Sequence, residues 1–179
     1  HGPLDESQGG FEMFRRRACH PKAESDADWR VGFSREHRAG NERYLAESIF
    51  SLFDEQTRDS QWHGRAFIDI GSGASELTNE ITRLCASRSM LHVACDSPEM
   101  LRHLPPNPSR RLVSGRFPDV LDKLVALEVV STRILAYSVL QYVLRDGILQ
   151  EFVESLSFPL PPGGSLRLVD LPNCELIKR

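Results

Sequence analysis

With 179 residues, the chain has the length of a single domain that could carry an appended arm, which excludes a solenoid or a multidomain assembly. Hydrophobic residues make up 40% of it and charged residues 26%, as in globular chains with a packed core, so an intrinsically disordered chain is excluded. The formal net charge of -3 gives no electrostatic argument for a nucleic-acid partner.

The cysteines and the apolar runs indicate in which cellular compartment the protein lies and whether it binds a metal. Cys19, Cys85, Cys95 and Cys174 form no CxxC pair, and no histidine stands at metal-ligand spacing from them. Separate, reduced thiols and no metal site are therefore expected. No apolar run reaches the roughly 20 residues that cross a bilayer, and the N-terminal residues lack the apolar core of a secretory signal. We expect a cytoplasmic protein without a membrane partner.

Residues 1–40 are expected to form an N-terminal arm or lid before the main domain, residues 41–179. The first part of the arm holds glycines, prolines and acids and shows no sustained period of helix or strand. Its triplet Arg15–Arg17 indicates a solvated charge cluster, with a phosphate site as the alternative. Trp29 and Phe33 stand on a polar stretch and are typical of a lid over a pocket or of a clasp that packs the arm.

An amphipathic helix is predicted from Asn41 to Glu55. Leu45, Ile49, Leu52 and Phe53 recur there at helical spacing, with charged residues between them. This apolar stripe is expected to pack against the remainder of the domain.

After that helix, short apolar runs alternate with longer helical ones. Strands are predicted at Ala66–Ile70, Met90–Cys95, Arg111–Val113, Arg133–Tyr137 and Leu166–Val169. Helices are predicted at Glu76–Ala86, Pro98–Leu104, Pro118–Leu127 and Asp146–Leu156. The alternation predicts a doubly wound, mainly parallel α/β sheet in the spatial order 3-2-1-4-5. In such sheets the ligand lies beyond the carboxyl ends of the strands.

A glycine-rich turn follows the first predicted strand, in the run Asp69-Ile70-Gly71-Ser72-Gly73. Gly71 and Gly73 let the backbone approach a ligand, and the next helix offers unpaired N–H groups at its N-terminus. These features favour a nucleotide-type ligand, although glycines also form ordinary turns between a strand and a helix. The third glycine of a dinucleotide fingerprint would fall at Glu76, whose carboxylate would repel a pyrophosphate, and this argues against NAD.

Asp96 follows the second predicted strand, where a carboxylate can accept hydrogen bonds from both hydroxyls of a ribose. The alternative is that Asp96 caps the helix starting near Pro98. Considered jointly with Asp69 and the two glycines, the ribose role is favoured.

In three blocks, taken in this order, the sequence resembles the class I S-adenosylmethionine-dependent methyltransferases. The blocks are Asp69-Ile70-Gly71-Ser72-Gly73, Asp96-Ser97-Pro98-Glu99-Met100-Leu101 and Leu160-Pro161-Pro162-Gly163-Gly164-Ser165-Leu166. The fourth-strand run from Ile134 to Tyr142 is similar as well. The resemblance covers roughly residues 67–170 and implies a Rossmann-like methyltransferase fold with S-adenosylmethionine as cofactor.

The resemblance also implies which residues hold the cofactor. They are Asp69, Gly71, Ser72, Gly73, Asp96, Ser97, Met100, Arg116, Phe117 and Tyr137. Asp69 would bind backbone or amino groups, Asp96 the ribose hydroxyls, and Met100 the adenine face.

The catalytic residues stay open, because methyl transfer needs alignment and exclusion of water more than acid-base chemistry. The candidates are Tyr137, Ser138, Gln141, Tyr142 and His37. A packing or rim role is the alternative for Gln141 and Tyr142, and a surface position is the alternative for His37.

The sequence departs from the family at three points. Ser75 replaces the third glycine of the first motif and could cap the next helix. After the third strand, no acid for the adenine precedes Asp119. Few residues follow Asp170, where the family's sheet continues, and the chain begins at His1, so a fragment or a trimmed variant is expected. The unpaired edge of the fifth strand would then favour a homodimer.

Three functions remain open. A methyltransferase with a small-molecule acceptor is favoured, because no basic surface points to nucleic acid and no extra domain points to a protein substrate. A non-catalytic methyltransferase-like domain that binds a partner, or only the cofactor, is the alternative. A nicotinamide oxidoreductase is disfavoured by Glu76.

Overall fold

The computed structural model describes residues 41–54 and 65–171. The predicted arm, residues 1–40, lies outside the described residues, as do Glu55, Cys19 and Cys174. The interpretations of Arg15–Arg17, of the two arm aromatics and of His37 therefore stay predictions.

A single five-stranded sheet forms the centre of the described domain. Its strands are β1 (Ala66–Ile70), β2 (Leu91–Asp96), β3 (Arg110–Ser114), β4 (Ser131–Tyr137) and β5 (Ser165–Val169). All neighbours pair in parallel, in the order β3-β2-β1-β4-β5, which confirms the predicted sheet. Every residue of β1 is buried because helices cover both faces, and this explains its nearly continuous apolar sequence.

Helices precede the sheet and connect its strands. They are α1 (Glu42–Asp54), α2 (Glu76–Ser87), α3 (Pro98–Leu101), α4 (Leu121–Val125), α5 (Leu140–Arg145) and α6 (Leu149–Leu156). The prediction of one helix from Asp146 is wrong at its start, because Asp146 is the C-cap of α5. Gly147, at φ +71°, then turns the chain before α6 begins.

The two faces of the sheet carry separate apolar cores. On one face, Phe50 of α1 stacks on Phe67 of β1 with ring centroids 5.0 Å apart, and α2 completes this core. On the other face, Phe117 and Phe152 meet edge to face at 5.3 Å, beside α4, α5 and α6. The sheet is held between these layers, while the carboxyl ends of its strands stay open for a site.

The buried stripe of α1 differs from the predicted one. Leu52 is 41% exposed, whereas Ala46, Ile49, Phe50 and Phe53 are buried. These four residues recur at helical spacing and face the sheet, so Leu52 falls on the flank of the stripe.

The outer edge of β5 carries no partner strand among the described residues. Leu166 and Leu168 of β5 pack against one core and Val169 against the other, so these side chains are partly covered. Association of two copies through this edge stays a prediction. In the part of the chain that the structure describes, no helix has the length and apolar character needed to cross a bilayer.

Candidate functional site

A cleft opens at the carboxyl ends of the central strands, where the loops after β1, β2, β3 and β4 meet. The residues singled out from the sequence that line it are Asp69, Gly71, Ser72, Gly73, Asp96, Met100, Arg116, Phe117, Tyr137, Ser138 and Tyr142. Ser97 and Gln141 do not line it. Polar groups from several loops thus converge over an apolar floor that includes Leu77 and Leu135, an arrangement typical of small-molecule sites.

The glycine turn after β1 adopts a conformation that other residues rarely take. Gly71 and Gly73 have φ of +68° and +65°. A Cβ on Gly71 would lie 2.6 Å from Cγ2 of Val139, in the loop after β4. The N–H groups of Gly71 and Ser72 donate to the carbonyl oxygen of Cys95 at 2.8 and 3.2 Å. The turn is therefore fixed to β2 and leaves the backbone open to the cleft.

The carboxylate of Asp96, at the end of β2, accepts hydrogen bonds from the backbone of the glycine turn and of its own loop. Its Oδ2 accepts the N–H of Gly73 at 2.8 Å, and its Oδ1 accepts the N–H of Ser97 at 2.6 Å. The cap of α3 is Ser97, whose hydroxyl accepts the N–H of Met100 at 3.2 Å. Asp96 therefore does not cap that helix, and the hydroxyl of Ser97 is used within the protein.

Burial raises the pKa of the Asp96 carboxyl from 3.8 to about 6. Loss of solvation is the main cause, and the two backbone N–H groups oppose it by stabilising the charged form. A carboxylate offers about four acceptor positions, so Asp96 can accept further hydrogen bonds. A ligand that brings hydroxyl donors would stabilise the charged form and suits this position.

Asp69 lines the cleft from the end of β1 and is 3% exposed. Its Oδ2 lies 3.6 Å from Nε2 of the buried His92, which is longer than a hydrogen bond. No N–H of the described residues donates a hydrogen bond to this carboxylate, so of the two expected partners, backbone and amino groups, the backbone is not found, and an amino group of a ligand stays a prediction. A buried carboxylate in this state gains from a donor that a ligand supplies.

An ion pair closes the end of the cleft beside β3. Arg116 follows β3, and its Nη2 lies 3.0 Å from Oδ2 of Asp146. Both residues line the cleft, and the side chain of Asp146 is only 7% exposed. Sequence reasoning missed Asp146 as a site residue, because no local pattern links it to the loop after β3.

Searches for similar proteins gave matches among solved structures alone. No protein-family model matches the chain, and no curated protein matches it significantly. A precorrin-6y C5,15-methyltransferase from Geobacter metallireducens GS-15 superposes with a TM-score of 0.51, at 17% identity over 73% of this chain and 66% of that one. The fold is that of a class I S-adenosylmethionine-dependent methyltransferase. Human N-acetylserotonin methyltransferase in complex with S-adenosylmethionine gives a TM-score of 0.44, at 14% identity over 72% of this chain and 37% of that one.

In this methyltransferase fold, the loop after β4 borders the open side of the cleft. Ser138 and Asp170 are hydrogen-bonded through their side chains, and both have left-handed backbones, with φ of +56° and +58°. Such conformations are unusual for residues other than glycine and concentrate at functional sites. Gln141 donates to the carbonyl oxygen of Ser138 at 2.7 Å, which explains why it does not line the cleft.

In this chain, the first turn of α2 forms another border of the cleft. Ser75 occupies the N-cap position but makes no capping hydrogen bond with its side chain, contrary to expectation, and instead lines the cleft. The hydroxyl of Thr78 donates to the carbonyl oxygen of Ser72 at 2.7 Å and fixes the turn to the helix. Glu76 is exposed in the first turn.

Both cysteines within the described residues, Cys85 and Cys95, are free and buried. Burial raises the pKa of each thiol, so both stay protonated. No cluster of three histidine, cysteine or acidic side chains that could hold a metal lies in residues 41–54 and 65–171.

Proposed function

We propose that this chain is an S-adenosylmethionine-dependent methyltransferase that acts on a small molecule. The observation that carries the proposal is the convergence of the glycine turn, Asp69 and Asp96 on one cleft at the carboxyl ends of β1 and β2. The fold is consistent with this activity. The acceptor class is inferred from the net charge of -3, which gives no electrostatic argument for a nucleic-acid substrate.

The residues present fit the cofactor at three positions. Asp96 can accept from the ribose hydroxyls while keeping its bonds to the backbone. Asp69 presents a buried carboxylate with hydrogen bonds still to gain, which suits the amino group of the methionine part. Gly71, at φ +68°, places the backbone of the turn at the cleft without a side chain between them.

The adenine is assigned to the end of the cleft beside β3. Met100, 1% exposed, offers a thioether to one face of the ring. Phe117 and the Arg116 and Asp146 pair border the same end. Asp146 then supplies the acid that the loop after β3 lacks, and it would accept from the exocyclic amine.

When bound, S-adenosylmethionine supplies a methyl group on a positively charged sulfur. The chain must then hold an acceptor in line with that group and exclude water. The apolar floor, with Ile81 and Leu135, keeps water from one side of the cleft. Tyr137 ends β4, Ser138 follows it and Tyr142 lies on α5. All three line the cleft, and we assign them to orienting the acceptor.

The proposal is tested by methyl transfer from tritium-labelled S-adenosylmethionine. The full chain would be incubated with panels of small phenols, amines, thiols and carboxylic acids, with Asp96→Ala as the control. We expect labelled product in at least one panel and roughly a tenfold or larger loss in the variant at low cofactor concentration. Cofactor binding without transfer in any panel would favour the non-catalytic domain that binds only the cofactor. Absence of cofactor binding would refute the methyltransferase and leave the domain that binds a partner.

A further inference from the structure

Beside the glycine turn, a buried polar network crosses the sheet from β3 to β1. Arg110 of β3 and His92 of β2 are register partners and are 5% and 0% exposed. Arg110 Nη1 donates to Thr82 Oγ1 of α2 at 3.1 Å, and this oxygen lies 2.8 Å from His92 Nδ1. At the other side of the ring, His92 Nε2 faces Asp69 Oδ2 at 3.6 Å. The network therefore ends on a carboxylate of the cleft.

The Nε2 atom of His92 is buried and makes no hydrogen bond within the described residues. A buried polar atom without a hydrogen bond costs free energy, so its presence in a folded protein needs an explanation. The charged group found within 4 Å of it is the Asp69 carboxylate, at 3.6 Å. A shift of a few tenths of an ångström would turn this contact into a hydrogen bond.

The positions of the hydrogen atoms in this network determine whether Nε2 of His92 carries a hydrogen. Thr82 Oγ1 has a single hydrogen, and it lies within reach of the Thr78 carbonyl oxygen at 2.9 Å and of His92 Nδ1. If the hydroxyl donates to Thr78, then Nδ1 must carry a hydrogen, and a neutral ring would turn a bare Nε2 lone pair toward the carboxylate. If the hydroxyl donates to Nδ1, then Nε2 carries the hydrogen and faces Asp69 as a donor.

The second arrangement is the favourable one. It replaces a repulsive contact between lone pair and carboxylate by an attractive contact, between two side chains that are both buried. It leaves no acceptor unsatisfied, because the Thr78 carbonyl keeps its bond within the helix. Arg110 donates to Thr82 Oγ1 in either arrangement and so keeps the threonine side chain in place.

We propose that His92 is a positioning residue, whose Nε2–H holds the Asp69 carboxylate in place to receive the amino group of the ligand. Thr82 selects the tautomer, and Arg110 anchors Thr82. The proposal rests on the proposed function, since it concerns how the same site binds the amino group of S-adenosylmethionine. His92 itself stays beneath the cleft and does not touch the ligand.

Histidine 92 also packs edge to face with Phe67 at 6.2 Å, so a variant could weaken the fold without acting through Asp69. A double-variant cycle separates the two roles. In His92→Asn the amide can keep the Thr82 contact but not the Asp69 contact, whereas His92→Gln places its amide nitrogen near the Nε2 position. Asp69→Asn removes the charge that His92 is proposed to hold.

Calorimetry with S-adenosylhomocysteine measures the cycle on the full chain. We expect His92→Asn to weaken binding about tenfold in the native background and little in Asp69→Asn, with His92→Gln close to the native protein. Equal losses in both backgrounds, or no rescue by glutamine, would overturn the proposal. Thermal unfolding of each variant shows whether the fold is kept.

Nitrogen-15 NMR of histidine-labelled protein provides a readout that does not need a variant to bind. The His92 signals, assigned by their absence in His92→Gln, should show a protonated Nε2 in the free protein. A neutral ring protonated at Nδ1 alone would overturn the proposal, even if His92→Asn fails to fold. If the native protein shows the protonated Nε2 but does not bind S-adenosylhomocysteine, then the proposed function fails while the contact with Asp69 stands, and the positioning role toward this ligand is rejected with it.

Discussion

The carboxylate of Asp96 accepts the backbone N–H of Gly73 at 2.8 Å, across 23 residues of sequence. This contact joins the end of β2 to the turn after β1. The two features that the sequence pointed to separately are therefore one structural unit, and a change in Asp96 affects the turn as well as any ribose.

Replacement of Asp96 by alanine should weaken binding of S-adenosylmethionine by about 2 to 3 kcal/mol, because two charge-assisted hydrogen bonds are lost in a partly dry cleft. Isothermal titration calorimetry measures the change. Asp122→Ala, which removes an exposed carboxylate on α4 outside the cleft, is the matched control and should bind as the native protein does. Unchanged affinity in Asp96→Ala would remove this residue from the site.

The affinity should also depend on pH through Asp96. Its carboxyl has a pKa of about 6 in the free protein, and the ribose hydroxyls donate to the charged form. Affinity should therefore be constant above about pH 7 and fall toward roughly tenfold per pH unit below pH 6, as protons compete for the carboxylate. The measurement is the dissociation constant of S-adenosylhomocysteine from pH 5 to pH 8, relative to Asp96→Asn, which cancels titration of the ligand. A constant ratio between the two proteins would contradict the prediction.

Gly71 and Gly147 form a pair that separates backbone strain from collision. Both have positive φ, +68° and +71°, but a Cβ on Gly147 meets nothing within 4 Å, whereas one on Gly71 meets Val139 at 2.6 Å. Gly147→Ala should lower the free energy of unfolding by about 1 to 2 kcal/mol, and Gly71→Ala by about 2 to 5 kcal/mol. Urea unfolding measures both. Equal losses in the free energy of unfolding would mean that Val139 moves aside at no energetic cost, and would contradict the prediction.

Asp146 should determine which nucleobase the cleft binds more tightly. Its carboxylate would accept from the exocyclic amine of adenine and repel the oxygen that hypoxanthine carries in its place. The native protein should therefore bind S-adenosylhomocysteine more tightly than S-inosylhomocysteine by about tenfold or more, and Asp146→Asn should narrow this ratio. Competition calorimetry gives both constants. The same ratio in both proteins would place the base elsewhere in the cleft.

Local sequence pattern predicts the sheet well and the far side of the cleft poorly. The predicted strand Ala66–Ile70 has the observed bounds, because a strand buried on both faces is a short apolar run between polar turns. The helix α5 was missed because Leu140–Arg145 is too short to show a helical period, and its end is set by Gly147. The contact between Arg116 and Asp146 depends on how α5 packs, which no local pattern encodes.

The contact of His92 with Asp69 is likewise one that local sequence pattern does not predict, although His92 lies in a predicted strand. It stands in the buried run Leu91–Asp96, where it resembles an ordinary interior residue. The register of β2 with β1 pairs His92 with Phe67, two residues before Asp69, and so brings its Nε2 to 3.6 Å from the Asp69 carboxylate.

The central claim is that the cleft after β1 and β2 holds S-adenosylmethionine. A crystal structure of the full chain with S-adenosylhomocysteine tests it most directly. The account predicts the ribose hydroxyls within hydrogen-bond distance of Asp96, the amino group beside Asp69 and the adenine against Met100. Ligand bound at another place, or a cleft that stays empty at saturating ligand, would contradict it.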